Sequence, residues 1–163
     1  LEKIFVVEDL KAWSPRLRSK TALATSPTRH FVDPAIAAYF LDAGAIDLIN
    51  DLKTFGLLFE SLVVRDLRIY AESLGGKVYH YRDHSGLEVD AIVHLSGGKW
   101  GALEVKLGEA WIEEAAENLL RLKERIDTEK TEAPSFLAVI CGIGYAYQRK
   151  DGVYVIPIDC LRN

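Results

Sequence analysis

The run GLEVDAIVHLSGGKWGALEVKLG, residues 86–108, is written as a β-hairpin. Leu87–Leu95 is rich in apolar and β-branched residues, Ser96-Gly97-Gly98 is a turn signal, and Trp100–Leu107 is apolar again. With Leu95 and Lys99 flanking a three-residue loop, Asp90 falls opposite Glu104. Strand side chains alternate, so Lys106 shares the face of Glu104. Glu88 shares the face of Asp90 and is expected opposite Lys106. Opposed residues lie with Cβ atoms about 4.5–5.5 Å apart, and like charges there repel. A hard divalent cation between the two carboxylates removes that penalty, with Mg²⁺–oxygen distances of about 2.0–2.1 Å. Asp90 and Glu104 are therefore a candidate metal site.

Upstream of the hairpin, Val78–Arg82 reads as a strand, and a helix is expected from about Thr54 to Leu74, stopped by Gly75-Gly76. On that helix Phe55, Leu58, Phe59, Leu62, Ile69 and Tyr70 form an apolar stripe, and Ser61, Arg65, Arg68 and Glu72 the wet face. Glu60 lies on a second sector with Leu57, Val64, Leu67 and Ala71, while Asp66 falls within the stripe. A carboxylate among apolar neighbours is costly without a partner, so both acids want one. Asp33-Pro34 opens a short helix to about Asp42, with Asp33 as N-cap. Downstream, helical spacing runs from about Trp111 to Ile126, and Phe136–Cys141 and Val153–Ile158 read as strands. From residue 54 the order is helix, three strands, helix, strand, and a further strand.

Composition narrows the classes. The chain has 163 residues, 27% charged and 49% hydrophobic, which suits one globular domain rather than a disordered segment. A net charge of −4 gives no overall basic signal for nucleic acid. No apolar run reaches membrane-spanning length, and Cys141 and Cys160 follow no metal spacing, so reduced core thiols in the cytoplasm are expected. The chain opens on Leu1 and contains no methionine, which suggests a piece of a longer protein.

Residues 1–10 hold a strand-like run, Ile4–Val7. Between residues 11 and 30 come Lys11, Arg16, Arg18, Lys20 and Arg29 with no acid, broken by Pro15 and Pro27. This reads as an extended basic arm able to track phosphates, or as a linker that packs back on its own domain. Other patterns are weaker. His30, His80, His84 and His94 show no metal-ligand pairing and read as structural. Trp13, Trp100 and Trp111 read as core or partial core before base-stacking. Gly142-Ile143-Gly144 opens no helix, and no phosphate-binding GxxxxGK[ST] run occurs, so neither a dinucleotide site nor ATP hydrolysis is expected of this chain.

A helix acid, then a strand acid, then Glu-x-Lys is the order of the PD-(D/E)xK, or restriction-endonuclease-like, superfamily, which the chain resembles. Glu60 matches the acid of the first helix, Asp90 the second motif, and Glu104-Val105-Lys106 the (D/E)xK motif; Val89 stands where the name has proline. More closely, VEDLKAWSPRLRSK, HFVDPAIAAYF, TFGLLFESLVVRDL, VYHYRDHSGLEVDAIV and ALEVKLG resemble the C-terminal domain of uncharacterised bacterial and archaeal AAA-type predicted ATPases. The resemblance implies an α/β fold: a restriction-endonuclease-like mixed β-sheet flanked by helices, with core order α-β-β-β-α-β. It implies that residues 31–163 form the nuclease-like domain. Residues 1–30 would be an arm, with residues 1–13 the tail of a winged-helix segment that follows an ATPase domain of the same protein.

The implied activity is Mg²⁺-dependent (or Mn²⁺-dependent) hydrolysis of phosphodiester bonds in DNA, RNA remaining open because the phosphate chemistry is shared. Asp90, Glu104 and the carbonyl of Val105 would hold the metal, and Glu60 would complete the shell or orient water. Lys106 would sit by the attacking water or the phosphate, with Arg82 and Glu88 in support. Lys11, Arg16, Arg18, Lys20 and Arg29 are the candidate nucleic-acid contacts. The alternative is a non-catalytic module that keeps the fold for DNA docking, subunit contact or regulation of the ATPase.

Overall fold

The computed structural model describes residues 6–15, 25–129 and 131–161. The chain runs β1 (Val7–Leu10), β2 (Thr28–Phe31), α1 (Pro34–Phe40), α2 (Ala45–Asn50), α3 (Leu52–Ser73), β3 (Gly76–Arg82) and β4 (Glu88–Leu95). It continues through β5 (Trp100–Lys106), α4 (Ile112–Arg125), β6 (Phe136–Cys141), β7 (Tyr147–Gln148) and β8 (Tyr154–Pro157). Six strands form a mixed sheet in the order β3-β4-β5-β6-β8-β7, and β1 and β2 pair separately.

The hairpin forms in the register that its turn residues predict. Ala91 pairs with Leu103 and His94 with Trp100. Leu95 N–H donates to the Lys99 carbonyl at 2.8 Å, and Gly98 N–H to Leu95 at 3.0 Å. Gly98 has φ +86°, a left-handed conformation that glycine adopts without a Cβ penalty. β5 and β6 lie parallel, as do β6 and β8, so α4 serves as the crossover that a parallel pair requires.

α3 covers one face of the sheet and α4 the other. Val63, Val64 and Leu67 pack with Val78, Ala91, Leu103, Val105 and Ile140. Leu119 and Leu122 pack with Ile92, Trp100, Val139 and Val155. Asp33 caps α1 by accepting from Ala35 N–H at 2.9 Å, as its sequence predicts, and Asp51 caps α3 through Thr54 N–H at 3.1 Å. α4 carries Glu113 and Glu114 in its first turn and Lys123 and Arg125 in its last, which suits the helix dipole.

Three expectations need correction. The buried face of α3 is Leu58, Phe59, Ser61, Val63, Val64, Leu67 and Ala71, so it is turned toward the sector of Glu60. Ile69, placed in the stripe, is 54% exposed, and Ser61, placed on the wet face, is buried. The reason is tertiary: α1, α2 and β2 pack on α3 as well as the sheet, so more than one stripe of this helix is covered. Asp66 finds its partner in adjacent Arg65, at 2.9 Å. Cys160 is exposed rather than a core thiol, whereas Cys141 is buried. Lastly, α2, β2 and β7 were not foreseen, each being no longer than six residues.

The chain before α1 contributes to the core. Leu10 is fully buried, and Trp13 is 4% exposed, stacked at 4.6 Å on Trp100 and donating through Nε1 to His94 Nδ1 at 3.1 Å. His80 of β3 exchanges backbone hydrogen bonds with the continuation of β1: Trp13 N–H donates to the His80 carbonyl, and His80 N–H donates to the Lys11 carbonyl. Among the described residues no helix is long and apolar enough to cross a membrane.

Candidate functional site

The site forms where β4 and β5 part. Their paired residues end at Ala91 and Leu103, before Asp90 and Glu104 are reached. Backbone groups beyond that point still need partners, and side chains supply them. Asp90 Oδ2 accepts from Val105 N–H at 2.8 Å. Asn118, on α4, donates to the Glu88 carbonyl and to Glu104 Oε1, both at 2.6 Å.

A β-bulge aims Asp90. Tyr79 pairs with Ile92 but Tyr81 with Val89, so Asp90 and Ala91 together face the single residue His80. An extra residue of this kind bends the strand and redirects a side chain. Ala91 accordingly packs in the α3 layer while Val89 and Ile92 pack in the α4 layer.

Lys106 is the hub. Its Nζ donates to Glu104 Oε2 at 2.8 Å and lies 3.6 Å from Asp90 Oδ2. Glu104 is 3% exposed. Burial raises its carboxyl to about 7, with the Asp90 charge adding to the rise and Lys106 and Asn118 opposing it. Glu60 is likewise raised to about 7, first by burial and then by Asp90, against the pull of Lys106. Burial works to lower the Lys106 ammonium, but Asp90, Glu104 and Glu60 outweigh it and raise it. Glu60, Asp90, Glu104 and Lys106 thus form one electrostatic unit.

His30, read from sequence as a structural histidine, also borders this unit. It is 5% exposed, with Nε2 3.3 Å from Thr28 Oγ1 and 4.0 Å from Glu60 Oε1. Burial, then Arg68, lowers it to about 4, so it stands neutral beside Glu60. Asn118 was not anticipated either. Neither residue carries a local motif; each meets its acid through packing of distant elements.

The remaining sequence candidates fall elsewhere. Arg82 pairs with Glu88 at 3.1 Å, both well exposed, so these two meet each other and the described ion pairs of Lys106 are with Asp90 and Glu104. Val105 is in register with Ile140 on β6, its N–H held by Asp90. Arg29 pairs with Asp9 across β1 and β2 at 3.3 Å, and Lys11 follows β1 with its carbonyl bonded to His80. Arg16, Arg18 and Lys20 lie outside the described residues. A groove of about 820 Å³ opens over Glu60 and Lys106, walled by Phe55 and Leu57 of α3 and by Trp111 and Ile143.

The donor set has mixed fitness for a metal. Glu60, Asp90 and Glu104 offer carboxylate oxygens, the ligand type that hard divalent cations take. Yet among the described residues no three carboxylate, histidine or cysteine side chains converge on one point. In this structure the Lys106 ammonium pairs with Asp90 and Glu104.

The chain belongs to the DUF4143 family, a domain of unknown function, which matches residues 55–161. No curated protein matches it. Among solved structures, a refined half-complex from a tetradecameric assembly of Thermococcus gammatolerans McrB AAA+ hexamers with bound McrC is similar, at 12% identity and a TM-score of 0.40. The similarity covers 63% of this chain and 27% of that one, so the chain spans about a quarter of that chain's length.

Proposed function

We propose that this domain hydrolyses phosphodiester bonds of DNA with Mg²⁺ or Mn²⁺, as a PD-(D/E)xK nuclease module attached to an AAA-type ATPase. The supporting observation is Lys106 held between Asp90 and Glu104 at the parted end of β4 and β5, with Glu60 of α3 electrostatically linked to Asp90 and Lys106. The ATPase and winged-helix partners rest on the sequence resemblance alone.

Asp90 and Glu104 would hold the metal, with the Val105 carbonyl as a further oxygen. When bound, the metal would polarise the scissile phosphate and acidify a water molecule. Glu60, whose carboxyl is raised toward neutrality, is suited to take and return a proton near physiological pH. Lys106 keeps its charge and would stabilise the negative charge that builds on phosphate oxygens. The groove over Glu60 and Lys106 gives the strand access.

Asp90→Ala and Lys106→Ala are each expected to abolish metal-dependent cleavage of plasmid or oligonucleotide DNA while the circular dichroism spectrum stays that of wild type. Undiminished cleavage by both variants would refute the reading.

One observation favours a non-catalytic module instead. Both oxygens of Glu104 are already engaged, by Asn118 and by Lys106. On that reading the cluster locks the parted ends of β4 and β5 for docking or regulation, and DNA binding without strand scission is the expected result.

A further inference from the structure

We propose that Asn118 is a positioning residue of this site, fixing the Glu104 carboxylate and the distance between the strands that carry the acids. The inference rests on the hydrolytic reading above. An asparagine amide has two N–H donors. Here the nitrogen serves two acceptors at once, the Glu88 carbonyl on β4 and Glu104 Oε1 on β5, each at 2.6 Å. The strands have no paired residues beyond Ala91 and Leu103. Asn118 therefore spans the gap that the ladder leaves open, which Asp90's bond to Val105 N–H also crosses.

Its consequences are specific. Glu104 Oε2 is left for Lys106, or for a cation in its place, because Oε1 is taken. α4 anchors the clamp rigidly, since Ala115, Ala116, Leu119 and Leu122 on that helix are buried in the core. Partners of this kind, one bond behind a metal-binding carboxylate, alter metal affinity or activity by about 10–100-fold when removed.

Asn118→Ala is the test, and alanine favours the helix, so α4 itself is not weakened. Mn²⁺ affinity by calorimetry is expected to fall about 10–100-fold. For a DNA oligonucleotide, kcat should fall with KM unchanged, because the clamp sets the carboxylate and not the groove. A double-mutant cycle of Asn118→Ala with Glu104→Ala, followed by urea unfolding, should show coupling of about tenfold or more in the unfolding constant, as for a hydrogen bond to a charged group.

If wild type binds Mn²⁺ and cleaves, and Asn118→Ala stays within twofold on both counts, the clamp is overturned and the hydrolytic reading survives. If wild type neither binds nor cleaves, the hydrolytic reading falls and takes the positioning role with it. The cycle then decides separately whether Asn118 holds Glu104: coupling of about tenfold upholds the bond, and coupling below twofold overturns it.

Discussion

Glu60 and Glu104 are two carboxyl groups raised to about 7, first by burial and then by Asp90, against the pull of Lys106. Raised in the folded state from an ordinary value of 4.5 to about 7, each contributes stability that is full below about pH 4.5 and lost as pH rises through about 7. His30 works the other way: lowered from 6.5 to about 4, it favours the folded state as pH rises from about 4 to 6.5. Above about pH 6.5 the opposing histidine contribution levels off and only the carboxyl contribution goes on changing. Asp83, held down to about 2 by Ser85 and Arg125 against its own desolvation, titrates well below this window. Melting temperature should therefore decline as pH rises from about 6.5 through about 7 and level off above it. The Glu60→Gln, Glu104→Gln double variant should be nearly flat there; an equal decline in that variant would show that other groups are responsible.

At the level of elements, the legible parts were those governed by local chemistry. Ser96-Gly97-Gly98 demands a tight turn, which sets the hairpin register and so brings Asp90 toward Glu104. Asp33-Pro34 carries its own cap geometry. The bulge was not legible, because His80, Asp90 and Ala91 include no glycine or other residue that marks one. The face of α3 was misjudged because helical periodicity registers amphipathicity against one surface, and this helix is covered on several. The segment before α1 reads in sequence as a basic arm or as a linker that packs back on its own domain, and Trp13 as core; Trp13 is indeed packed against Trp100, Tyr81 and His94. Removing a buried aromatic of this size costs about 3–5 kcal/mol, so Trp13→Ala should be destabilised by that order in urea denaturation. A loss under 1 kcal/mol would mean that the segment is not part of the core.

Across the whole molecule, one sheet covered by α3 and α4 collects side chains that are far apart in sequence. Glu60 comes from α3, Asp90 and Glu104 from the hairpin, Asn118 from α4, and His30 from the β1–β2 pair outside the family match at residues 55–161. The acids and lysine were visible in sequence because the hairpin holds three of them within residues 86–108. His30 and Asn118 became visible only when the layers closed around them. On the proposed function this cluster receives a divalent cation. Isothermal calorimetry of Mn²⁺ against wild type and Asp90→Ala, with and without a phosphorothioate oligonucleotide that resists cleavage, tests it most directly. Saturable binding to wild type that is lost in Asp90→Ala is the predicted result. No binding to wild type under either condition, or identical binding to both proteins, would contradict it.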